Sequence, residues 1–217
     1  MSVPTLKQAY AFLSPLRGRS SAFMVADRRT NAAVTAFALG CLAGLKMRTL
    51  LLDTSCFYGT NVEVLTEKLP KEFLERSTIL TVTEDAGPKD VLSKLISNKE
   101  ARAVLIDDLN SLNALMSSGD KRSSIYELFV LVRMLSYSAR INNFLILATV
   151  YKSQRSDAAS KRSLGAAADL QITTETESTY VTFRCDDRGI WPNGKFVANV
   201  GLLGAQDVDA DIEGGQH

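Results

Sequence analysis

The chain has 217 residues, 46% of them apolar, and 25 Lys and Arg set against 24 Asp and Glu leave a net charge of +1. That length suits one globular domain whose core needs no disulfide or metal, and the balanced charge excludes a histone-like polycation, so nucleic-acid contact requires a local basic patch. The single histidine, His217, and three widely spaced cysteines, Cys41, Cys56 and Cys185, exclude His-based triads, zincin motifs, zinc spacings and an even disulfide framework.

In chain order, residues 1–20 read as a linker containing Tyr10, Phe12 and Leu13, without the charged and apolar regions of a signal peptide. Short apolar runs at 22–26, 49–53, 78–82, 103–107 and 144–150 then alternate with helical patterns at 31–45, 61–69, 89–98 and 124–141. This is the βαβ signature of a parallel sheet, and the absence of polar alternation predicts strands buried on both faces. Asn31 and Ser124 are the expected N-caps, and Pro88 sits where a helix starts. Residues 169–174, 179–185 and 195–200 are β-branched and separated by turn residues, which predicts an antiparallel meander. Residues 205–217 carry four acids and read as a disordered acidic tail after a core at 21–204. The longest apolar stretch, 32–45, is too short to span a bilayer, and a reducing, cytoplasmic setting is expected, nuclear in a eukaryote.

The most specific local signal is Ala103-Val104-Leu105-Ile106-Asp107-Asp108, an apolar strand ending in carboxylates. Open α/β sheets place ligand chemistry at that edge, and an Asp there holds the magnesium of a P-loop NTPase. A strand followed by a helix-capping Asp is the alternative. The matching phosphate cradle would lie in Ala26-Asp27-Arg28-Arg29-Thr30-Asn31-Ala32-Ala33, which has neither glycine nor lysine. Arg28, Arg29, Asn31 and Asp107 therefore read as relics of a nucleotide site, and no cofactor or metal is expected.

The order of these pieces resembles the RecA/RadA recombinase family, in particular the ATPase core of the archaeal and eukaryotic recombinases and their paralogs. Leu50-Leu51-Leu52-Asp53-Thr54-Ser55-Cys56-Phe57 is similar to the family's strand ending in Asp-Thr-Glu-Gly-Thr-Phe, with the catalytic Glu falling on Ser55. Leu105-Ile106-Asp107-Asp108 resembles its magnesium-binding strand, and Phe196-Val197-Ala198-Asn199-Val200 its closing Phe-Ala-Ile-Asn strand. The resemblance implies a three-layer α/β RecA-like core, mostly parallel, with the C-terminal antiparallel meander. It also implies DNA-binding loops at 117–124 and 152–163, which here carry Lys121, Arg122, Lys152, Arg155, Lys161 and Arg162.

Loss of the cradle and of the base predicts a non-enzymatic pseudo-ATPase. Such a chain is expected to join a RadA-type recombinase or sister paralog as an oligomer or hetero-complex, bind single-stranded DNA weakly and assist homologous recombination and repair. The alternative is a structural subunit of another RecA-fold assembly, such as an Elongator-like tRNA-modification ring or a motility or circadian-type complex. Partner contacts are expected from Tyr10 and Phe12 and from the outer helix face of Tyr126, Val130, Met134 and Tyr137. Phe23-Met24-Val25-Ala26 matches the letters of the family's Phe-x-x-Ala assembly motif, but it falls on the first predicted strand and is set aside.

Overall fold

Leu50, Leu51 and Leu52 follow one another without a polar break because both faces of their strand are covered. Leu51 packs into one core layer and its two neighbours into the other. In a computed structural model describing residues 4–82, 88–97, 100–116, 121–152 and 167–200, this two-sided burial organises a sheet in the order β3-β2-β4-β5-β1-β6-β7-β8. β1 (Ser20–Val25), β2 (Thr49–Asp53), β3 (Ser77–Thr81), β4 (Ala103–Ile106), β5 (Leu145–Tyr151) and β6 (Leu170–Glu177) are all parallel to their neighbours in that series. β7 (Tyr180–Cys185) and β8 (Lys195–Asn199) add antiparallel, forming the expected meander. β3 departs from the expected double burial: it is an edge strand, and Ile79 is 48% exposed.

α1 (Leu6–Leu13) and α2 (Arg28–Gly44) cover one face, helped by α3 (Phe57–Thr60), α4 (Val62–Lys68) and α5 (Lys71–Glu75). α6 (Pro88–Ser97), α7 (Leu109–Met116) and α8 (Lys121–Asn142) cover the other. Two expected caps are displaced. Asp27, with extended backbone, caps α2 through a bond from the Thr30 amide at 2.7 Å, so Asn31 lies inside the helix and is buried. A carboxylate there both satisfies a free amide and complements the helix dipole. α8 starts at Lys121, three residues before Ser124.

The segment expected to be a linker is instead integral to the core. Thr5 and Gln8 form a reciprocal capping box that starts α1, and Ala9, Phe12, Leu13 and Leu16 are fully buried. Phe12 was assigned above to a partner surface; it is the hub of an aromatic cluster. It stacks on Trp191 at 5.4 Å and meets Phe37, Phe183 and Phe196 at 4.9, 4.8 and 5.1 Å. Its carbonyl also accepts from the Trp191 indole at 3.4 Å. One side chain thus joins α1, α2, β7 and β8. Tyr10, on the same helix, is 60% exposed, as a partner contact requires. Phe23 is buried in β1 against Phe12 and Phe183, consistent with setting that motif aside.

Among the described residues no helix is long and apolar enough to cross a membrane. Replacing Phe12 by Ala is expected to lower the unfolding free energy by about 3–5 kcal/mol, because the surrounding rings cannot close over the cavity. Tyr10→Ala should change it by no more than about 0.5 kcal/mol. Urea denaturation of both variants checks this contrast.

Candidate functional site

The adjacency of β2 and β4 brings the residues after both strands together at the C-terminal edge of the sheet. Asp107 lies there with no exposed surface. Its Oδ1 accepts from the Thr54 amide at 3.1 Å, from the Asp108 amide at 2.7 Å and from the Thr54 hydroxyl. Its Oδ2 accepts from the Ser55 amide at 3.1 Å and from the Ser55 hydroxyl. The Asp107 carbonyl takes the Thr149 hydroxyl of β5. Both carboxylate oxygens are therefore engaged by the chain's own donors. Ser55, at the position the resemblance gives to a catalytic Glu, is one of the residues holding Asp107 down.

Asp108 fulfils the alternative read from the sequence. Its carboxylate accepts the Ser111 amide and hydroxyl, capping α7, and burial raises its pKa. The adjacent Asn110 Oδ1 accepts the Tyr151 amide at 2.9 Å, tying α7 to the end of β5. Asp53 is buried with one oxygen facing the Gly59 amide at 3.4 Å and the other without a hydrogen-bond partner. Burial and then the neighbouring Asp107 charge raise its pKa. Tyr58 is fully buried beside them, its hydroxyl also without a hydrogen bond, and burial followed by these two carboxylates holds its pKa high. Among the described residues no salt bridge reaches Asp53, Asp107 or Asp108.

The β1–α2 connection consists of Ala26 and Asp27 alone. A P-loop needs a longer, glycine-rich turn whose amides face the phosphates. Here the Asp27 carboxylate already occupies the start of α2. Arg28 and Arg29 are exposed in the first turn, where the helix dipole disfavours cations. Asn31 is buried with its Oδ1 lacking a hydrogen-bond partner. Arg28, Arg29, Asn31 and Asp107 are thus brought to one sheet edge, where the turn before α2 holds neither glycine nor lysine.

No protein-family model matches the sequence, and no curated protein does either. Solved structures do. The crystal structure of the RadB recombinase matches with a TM-score of 0.61 and 16% identity, covering 91% of this chain and 93% of that one. The ATPase domain of G40P matches with a TM-score of 0.58 and 16% identity over 91% of this chain and 88% of its own. The fold is RecA-like. Within that RecA-like frame, Lys152 is exposed beyond β5, and Lys121 and Arg122 open α8, where only their backbone is described. Arg155, Lys161 and Arg162 lie outside the described residues, as does the tail at 205–217.

On α8 the inner stripe of Leu128, Leu131, Val132, Leu135 and Ala139 is buried, while Ile125 and Phe129 are half-buried. Tyr126, Val130, Met134 and Tyr137 are 75, 55, 46 and 68% exposed, so nothing among the described residues covers the outer face. A groove of about 460 Å³ runs along it, lined by Val130, Met134, Tyr137 and Ile141. Sequence reasoning missed Thr54, Asn110 and Tyr58 as parts of the site, because their roles appear only once β2, β4 and β5 are side by side.

Two outcomes follow. Asp107→Ala is expected to destabilise the fold by at least about 2 kcal/mol by stranding buried donors, as read by urea denaturation. Asp53, whose folded pKa is raised, binds a proton more readily folded than unfolded. Its charge therefore penalises the fold above the folded pKa, and the penalty disappears below the unfolded value near 3.8. Asp53→Asn should accordingly be more stable than the parent at pH 7, with the difference shrinking as pH falls towards 4 in a series of denaturation curves.

Proposed function

We propose that this protein is a non-catalytic relative of the RecA-type ATPases that acts through binding: a scaffold that joins a RadA-type recombinase or sister paralog, contacts single-stranded DNA and assists recombination and repair. The observation that carries the non-catalytic reading is the two-residue β1–α2 connection capped by Asp27. Phosphoryl transfer needs positioned phosphates, a metal and an oriented water. The internally bonded Asp107 and the serine at position 55 support the same conclusion. A buried cluster of three carboxylates, with no described cation paired to it, would also meet a triphosphate with like charge.

Binding to a partner is supported by the outer face of α8. A helix that is apolar on both sides and covered on only one presents an anchor of the kind used at interfaces, where Tyr is enriched. A recombinase among the structural neighbours favours recombination as the setting. The positions of Lys152 and of the start of α8 at the C-terminal edge support DNA contact there. Such contact would be made through phosphates, without base reading.

Three measurements test the reading. Millimolar ATP with magnesium should give neither hydrolysis nor a shift in melting temperature; a shift that grows with ligand concentration would overturn the non-catalytic, nucleotide-free reading. Tyr126→Ala combined with Tyr137→Ala should abolish co-purification with an active RecA-like ATPase while leaving the melting temperature within a few degrees. In anisotropy with labelled single-stranded DNA, changing Lys152, Arg155, Lys161 and Arg162 to Ala should make the log–log salt slope shallower by about 3. A ring-sized mass with tRNA preferred over DNA would instead favour the structural subunit of another RecA-fold assembly.

A further inference from the structure

An arginine stands immediately before four of the parallel strands: Arg76 before β3, Arg48 before β2, Arg102 before β4 and Arg19 before β1. Strand register sets them side by side. Thr49 pairs with Ser77 on one flank and Ala103 on the other. The Arg48 carbonyl accepts from the Arg102 amide at 2.8 Å, and the Arg102 carbonyl from Leu145 at 3.0 Å. The Arg19 carbonyl continues the row across β5 by accepting from Ile146 at 3.3 Å. With strands about 4.8 Å apart, the N-terminal edge of the sheet carries a line of cations about 20 Å long.

Part of this line, with Arg17 and Lys46, forms a cleft of about 700 Å³, completed by the amide side chains Asn142 and Asn143. Arg48 is paired with Glu100 and Arg19 with Asp187. Arg17, Lys46, Arg76 and Arg102 are exposed, and among the described residues none of them has an ion-pair partner. The nearby Glu75 is engaged with Lys71. Helix dipoles account for Lys46 after α2 and for Arg76 after α5. They do not account for Arg102, which immediately precedes β4 beside the Arg48–Glu100 pair. In a chain of net charge +1, such a concentration of exposed cations makes a local positive field that attracts anions.

We propose that this edge binds the phosphodiester backbone of a nucleic-acid strand. Guanidinium forks match phosphate oxygens two at a time, and Asn amides add the neutral hydrogen bonds typical of backbone contacts. Among the described residues the cleft has no aromatic lining, and its apolar members, Leu45 and Met47, are half-buried and buried. It therefore offers no base-stacking platform and no exposed anchor for a protein partner, whose interface would need one. Nucleic-acid interfaces are polar and positively charged in this way. The site lies at the opposite end of the strands from Lys152 and the start of α8, and so stands apart from the DNA contacts proposed above.

The test is anisotropy of the full chain with labelled oligothymidine and oligouridine of about 20 nucleotides across a salt series. R17A/R76A/R102A should make the log–log slope shallower by about 2, since each phosphate contact on a single strand contributes about 0.7. R17K/R76K/R102K should keep the slope, and an unchanged melting temperature in both variants shows that the fold is intact. Tighter binding of either oligonucleotide names the natural backbone, provided the alanine variant loses it. An alanine variant that keeps the parent slope overturns the proposal. So does displacement by polyglutamate as effective as by unlabelled oligonucleotide, which would mark an acidic protein as the ligand. K152A/R155A/K161A/R162A measured alongside separates the two sites: loss there alone removes the edge site and leaves the proposed function, and loss at the edge alone does the reverse.

Discussion

A parallel sheet has no solvent face to offer, and every layer of this molecule answers to that constraint. Leu51, Leu105 and Leu147 point into one core while Leu50, Val104 and Ile146 point into the other, so two helical layers are obligatory. α8 supplies the long cover on one side. On the other, α2 is rich in small residues, and the volume is made up by Phe12, Trp191, Phe183 and Phe196, drawn from both ends of the chain. The meander β6–β7–β8 is held against α1 by that ring cluster, which makes the N-terminal helix as much a part of the core as any strand.

Burial also sets the chemistry at the C-terminal edge. A carboxylate with no exposed surface persists only if donors surround it, and Asp107 draws on the backbone and side chains of Thr54 and Ser55 to meet that need. The geometry that satisfies Asp107 engages both of its carboxylate oxygens with the chain's own donors. Position 55 decides this point, since a hydroxyl there reaches back to Asp107 as a donor, which a carboxylate could not do without binding a proton. Asp53 and Tyr58 each keep one buried oxygen without a hydrogen bond nearby, a desolvation cost that the surrounding packing offsets.

Charge is distributed along the strand direction. Three buried acids sit at the C-terminal ends of the parallel strands, and a row of arginines sits at their starts. Between the two edges, α8 shows its uncovered face of Tyr126, Val130, Met134 and Tyr137. Asp27 caps the start of α2 and Asp107 bonds to Thr54 and Ser55 at the C-terminal edge, so the two ends of the strands present opposite charge.

Much of this was legible in the residues. Apolar runs of four to seven residues separated by helical patterns fix strands and their parallel class, because burial on both faces leaves a composition that only this arrangement satisfies. The Asp107-Asp108 pair, the missing glycines after β1 and the two-sided α8 were visible for the same reason: each is a local departure from a known requirement. Residues 6–13 were not legible as a helix of the core, since an eight-residue amphipathic segment ahead of the first strand looks like any linker until Trp191 and Phe196, distant in sequence, are placed against it. Asn31 had the side chain of a cap, but the position of Asp27 at the end of β1 took that role. The saturation of Asp107 and the arginine row are decided by tertiary structure alone. Both depend on which strands become neighbours, and strand order is set by long-range packing rather than by any local pattern.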